Sequence, residues 1–215
     1  MITKNLTVPN KLSELTIGQY QKFNKVLSSN PDNDFLQKKT IEIFCGVDLN
    51  QVERYKYSSI VEVIEVLNKM FEQKPKHNLR FDHNGKEYGF IPVLTNMSFG
   101  EFVDLDLLMS DWDTMDEAMA VLYRKIENKH KDNYSIVEYN SDKTDNMKDM
   151  PLDVALGAIF FLENLNKELM NHILLYLQKQ EKTIPPQLKE SYKKIMDGGF
   201  LSGLYPTQIL QSSKQ

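Results

Sequence analysis

The side chains able to do chemistry are scattered along this 215-residue chain. Four histidines, His77, His83, His130 and His172, lie far apart. No two sit three or four positions apart, the spacing that sets two imidazoles on one helix face for a zinc ion. Cys45 is the only cysteine, which excludes an internal disulfide framework and a thiolate-cluster metal site. It has no histidine beside it and falls on the apolar side of a predicted helix, the setting of an inert, buried thiol. The nine glycines form no phosphate loop, dinucleotide fingerprint or nucleophile elbow. No catalytic, metal or cofactor site is expected from these residues.

Carboxylates are the one concentrated chemical resource. Residues 98–123 hold seven acids, Glu101, Asp104, Asp106, Asp111, Asp113, Asp116 and Glu117, and no lysine or arginine. The whole chain carries a formal charge of −4, so this segment contains more than the entire surplus. A calcium loop starting at Asp111 would need glycine at its sixth position, and that position is Asp116. Paired carboxylates could serve a small enzyme, although no neighbouring pattern supplies a pocket. The remaining readings are acidic first turns on two consecutive helices, favoured by the helix dipole, or an acidic face for a basic partner. The basic groups Lys189, Lys193 and Lys194, and Lys74, Lys76 and Arg80, lack interleaved aromatics. Nucleic acid is therefore not an expected partner.

The elements that position these residues are mainly helical. Thr16-Ile17-Gly18-Gln19 and Ser98-Phe99-Gly100-Glu101 are capping boxes, in which the cap hydroxyl and the third helical side chain satisfy each other's backbone N–H. Each carries a hydrophobic staple, Leu15 with Tyr20 and Met97 with Phe102. Ser59 to Glu62 is a third box, opening a run of Ile60, Val63, Ile64 and Leu67. A helix over about 34–45 ends at Gly46. Asn84-Gly85 predicts a tight turn between two short strands, a hairpin over about residues 79–91. Residues 134–139 form a weaker strand candidate.

The first two boxes belong to a weak internal repeat. Val8-Pro9, Leu12 and Leu15 to Tyr20 correspond to Ile91-Pro92, Leu94 and Met97 to Phe102. The repeat marks either two equivalent docking elements or two uses of one capping solution.

Residues 140–150 are polar and aperiodic, which predicts an exposed loop dividing a first helical module, 1–139, from a C-terminal segment, 151–215. That segment opens with a long helix from Pro151 to Gln180, apolar nearly all round in its first half, and is expected to pack on the first module. A shorter helix to about Met196 follows, then the apolar tail Phe200 to Tyr205. The longest apolar run, Val154 to Leu162, is less than half of the roughly 20 residues that span a bilayer. No signal-peptide pattern opens the sequence. A soluble protein, neither membrane-embedded nor secreted, is expected. The fold class expected is mainly α, a bundle-like body with a small β-hairpin.

Several segments resemble a group of tailed-bacteriophage morphogenesis proteins, especially from phages of Bacteroidota. They are Gly85 to Tyr88, Met97 to Leu105, Val121 to Ile126, Tyr134 to Ile136 with Tyr139, and Met150-Pro151 leading to Phe160-Phe161. Lys125 stands where that pattern has proline. The resemblance implies a non-enzymatic role in the virion or in host cytoplasm during assembly. Its partners would be other phage structural or tail proteins, with homo-oligomerisation also open. A head–tail connector, a tail component and a tail-assembly chaperone that leaves the particle all fit. The partner-binding candidates are Leu156, Ile159 and Phe160 on the long helix and Phe200, Leu204 and Tyr205 on the tail.

Overall fold

Local capping chemistry sets the first helices. In the computed structural model, which describes residues 6–29, 31–131, 133–179 and 185–196, α1 spans Ile17–Ser28 behind the capping box of Thr16 and Gln19. α2 spans Asn33–Cys45 and is capped by the Asp32 carboxylate. It ends at Gly46, whose φ of 65° is left-handed, a conformation glycine adopts without a Cβ clash. A single turn, α3 (Leu49–Val52), leads to α4, Tyr57–Phe71. α4 begins two residues before Ser59, with Lys56 as its N-cap, so the box expected at Ser59 lies inside the helix.

The hairpin forms where Asn-Gly demands it. β1 (Arg80–His83) and β2 (Lys86–Phe90) pair antiparallel across Asn84 and Gly85, whose φ angles are 51° and 71°. Such a hairpin needs further pairing to be stable, and the chain supplies it. After α5 (Phe99–Leu108) and α6 (Met115–Leu122), β3 (Tyr123–His130) pairs with β2, and β4 (Asn133–Ile136) pairs with β3. The result is a four-stranded antiparallel sheet in the order β1-β2-β3-β4. The Tyr134 ring lies over Gly89, where any Cβ would collide with it. Its hydroxyl sits 2.7 Å from the Phe90 carbonyl and 3.1 Å from that of Leu79.

α7 (Leu152–Lys179) and α8 (Pro186–Met196) complete the described chain. The core joins all of these regions except α8. The Tyr20 and Trp112 rings meet at a tilt of 57°, their centroids 4.2 Å apart. Phe44 lies 5.3 Å from both Phe23 and Phe71. The first two turns of α7, Leu152 to Ile159, enter the same core. Gly157 permits this, because a Cβ there would strike the Lys76 carbonyl.

The segment expected as an exposed loop at 140–150 is exposed at most positions, but Met147 and Met150 are fully buried. The Lys148 carbonyl accepts the Gly18 N–H at 2.8 Å, and the Met150 carbonyl accepts the Ile17 N–H at 3.1 Å. This stretch ties α7 to α1. Among the described residues, no helix is long and apolar enough to cross a membrane.

Candidate functional site: the outward face of α5

α5 is turned opposite to the usual sense. An amphipathic helix ordinarily faces its apolar stripe to the core and its charges to water. On α5 the one buried residue is Glu101. Phe99, Phe102, Val103 and Leu107 are instead 83%, 59%, 43% and 70% exposed. At about 100° per residue, positions 99, 102, 103, 106 and 107 share one face. Four of these are large apolar residues, and the fifth is Asp106.

Buried charge holds the helix this way round. Glu101 Oε1 lies 2.6 Å from Arg124 Nη2, with both side chains largely enclosed. Its other oxygen accepts the Ser98 N–H at 2.6 Å, closing the capping box. Burial by itself would raise the Glu101 pKa. The Ser98 hydrogen bonds and the Arg124 charge outweigh it and hold the carboxyl below its usual range. Three residues further along, Asp104 accepts the Tyr139 hydroxyl at 2.7 Å, and Arg124 lies over the Tyr139 ring. Burial, with the bond to Asp104 next, pushes the Tyr139 hydroxyl up to about 12. Leu105 and Leu108 pack against the core from the same side.

The seven acids therefore do not make one acidic face, which corrects that expectation. Glu101 and Asp104 point inward. Asp116 is buried on α6 and accepts from Gln21 Nε2 at 2.6 Å. Asp111 accepts the Asp113 N–H to start a 3-10 turn, and Asp113 lies 3.4 Å from Lys25. Asp106 and Glu117 remain exposed with no partner among the described residues. Among those residues no group of histidine, cysteine or carboxylate side chains could hold a metal ion.

The long helix also differs from expectation. Leu156 and Ile159 are fully buried within this chain, so they are core residues and not available as surface anchors. The apolar run that suggested a partner is satisfied internally. Phe160 is half-buried beneath Lys74, whose Nζ lies 6.0 Å from the ring centroid. It borders a 380 Å³ cleft with Pro75, Glu163 and Lys167. Further along, Leu165, Leu169, Leu175 and Tyr176 are exposed. Phe200, Leu204 and Tyr205 lie outside the described residues.

His77 is the histidine most enclosed by aromatics. It stacks on Phe161 at 4.4 Å and meets Phe90 edge-on at 4.4 Å. Burial lowers its pKa, which favours the neutral ring. Its neighbour Tyr123 spends its hydroxyl on the Asn78 carbonyl at 2.7 Å. The same hydroxyl lies 3.5 Å from His77 Nδ1.

Sequence reasoning missed the α5 face although its signal was legible. Helical spacing of Phe99, Phe102, Val103 and Leu107 marks one stripe, and Leu105, Leu108 and Met109 mark another. The pairing of Glu101 with the distant Arg124, with Asp104 held by Tyr139, marks which stripe turns inward. Comparison with protein-family models, curated proteins and solved structures finds no match.

Proposed function

We propose that this chain is a non-enzymatic structural or assembly component of a tailed bacteriophage, working through protein–protein contact as a head–tail connector or tail component. The observation that carries the contact reading is the exposed apolar face of α5, held outward by the Glu101–Arg124 pair. Large apolar side chains gathered on one helix face, around a single carboxylate, are what a partner covers. The phage assignment rests on the sequence resemblance, which covers most of the chain from Gly85 to about Leu177. The competing reading, an enzyme using the carboxylates at 101–117, would have to work with Glu101, Asp104, Asp113 and Asp116 each engaged by a different side chain.

Two observations test this. The gene should lie among head and tail genes, and mass spectrometry should find the chain in purified particles. A gene outside any phage genome refutes the proposal. Absence from particles, combined with binding to a tail protein before assembly, would replace the structural role with that of a tail-assembly chaperone.

A further inference from the structure

The internal repeat is also a structural repeat, and the two copies differ in one respect. Leu12–Glu14 and Leu94–Asn96 are both 3-10 turns. In each, the residue after the turn donates back to its first carbonyl at 3.1 Å, Leu15 to Leu12 and Met97 to Leu94. Thr16 and Ser98 then cap α1 and α5 with complete capping boxes. Register is constant from the turn through the helix, so Ile17, Gly18 and Tyr20 correspond to Phe99, Gly100 and Phe102.

The first copy is covered by the chain itself. Residues 147–151 cross it as a tight turn, closed by the Met150 N–H donating to the Met147 carbonyl at 3.0 Å, with an antiparallel bridge between Thr16 and Pro151. The N–H groups of Ile17 and Gly18 donate to Met150 and Lys148, and the Leu152 N–H donates to Leu15 at 2.9 Å. Met147 and Met150 are buried in the core, as are Ile17 and Tyr20. The approach at Gly18 is close, since a Cβ would sit 3.1 Å from the Lys148 carbonyl oxygen. On the second copy, by contrast, a Cβ at Gly100 would meet nothing within 4 Å. Phe99 and Phe102 are exposed. Glycine near the start of a helix weakens it, and no contact within the described residues requires it at this position.

We infer that α5 and the turn before it form a second docking site, which takes a short turn-forming segment of a partner protein. The occupied copy describes that segment: two large apolar side chains three residues apart and then proline, as in Met147-Lys148-Asp149-Met150-Pro151. Its backbone passes close over Gly100 and offers carbonyls to the Phe99 and Gly100 N–H groups. Charge adds a second requirement. Asp106 lies within the apolar stripe, and residues 98–123 contain no base. A carboxylate covered by a partner needs a cation opposite it, so the segment carries a lysine or arginine toward Asp106.

The inference rests on reading α5 as the contact face, and its test is separate from that of the phage role. A synthetic peptide of residues 146–152 is titrated into the full-length, 15N-labelled chain. Saturable shifts are expected at the Phe99, Gly100 and Phe102 amides, with the Gly18 amide unmoved. Gly100→Val should leave the chain folded and weaken peptide binding about tenfold or more. A peptide carrying lysine in place of Asp149 should bind more tightly, and Asp106→Lys in the chain should reverse that gain. Absence of saturable shifts, shifts centred on Ile17 and Gly18, or normal binding by Gly100→Val would each overturn the inference. If the peptide fails to bind while Phe102→Asp still blocks entry into particles, the turn segment is wrong and the contact face stands.

Discussion

Replacing Glu101 with alanine removes the group that fixes which side of α5 faces the body. The side chains of Glu101 and Arg124 are only 8% and 13% exposed in their ion pair. Breaking a buried pair by deleting one partner costs about 3–5 kcal/mol, because the remaining charge stays enclosed. Residual water access to Arg124 lowers this toward about 2–3 kcal/mol. Loss of the bond to the Ser98 N–H adds about 0.5–1 kcal/mol. A total near 3 kcal/mol is expected, read as a fall in the urea midpoint with an unchanged slope. Glu101→Gln keeps an acceptor for Ser98 and should cost less. The pH dependence has a definite sign. The folded-state pKa of Glu101 is depressed, so its contribution is full above the unfolded carboxylate range. It is lost as pH falls through the lower folded value. The wild-type chain should therefore lose this increment in acid, and the difference from Glu101→Ala should shrink there. A difference below about 0.5 kcal/mol at neutral pH, the scale of ordinary surface substitutions, would refute the account of how α5 is held.

Two further outcomes follow from the way α7 enters the core. Leu156→Ala and Ile159→Ala should each cost about 2–5 kcal/mol in chemical denaturation, and a surface-sized effect would show that they are not core residues. Gly157→Ala should destabilise by about 1–3 kcal/mol, despite the better helix propensity of alanine, because its methyl group strikes the Lys76 carbonyl. A raised melting temperature in that variant would show that α7 does not pass so close.

Much of this architecture is written in local chemistry. The Gly46 end of α2, the capping boxes at Thr16 and Ser98 and the Asn84-Gly85 hairpin need only a few neighbouring residues to form, so they could be read directly, whereas the box expected at Ser59 did not form. The burial of Leu156 and Ile159 also has a sequence signature, a helix apolar nearly all round, although the same signature admits a partner instead of a core. β3 was less legible. Tyr123-Arg124-Lys125-Ile126-Glu127 lacks strict alternation, and the strand follows α6 with no turn residue between them. Its pairing with β2 comes from tertiary placement. The orientation of α5 was hidden for a similar reason. Composition located a block of acids, and their separate roles emerged only once Arg124, Tyr139 and Gln21 were brought to them.

The central claim is that the apolar face of α5 is bare in the free chain and covered in the working assembly. Incorporation of a Phe102→Asp, Leu107→Asp double variant into particles tests it most directly, compared with wild type at equal levels of folded protein. Both residues are exposed, so the variant should fold with stability within about 0.5 kcal/mol per site of wild type. Its incorporation should fall about tenfold or more. Normal incorporation of this folded variant would contradict the account.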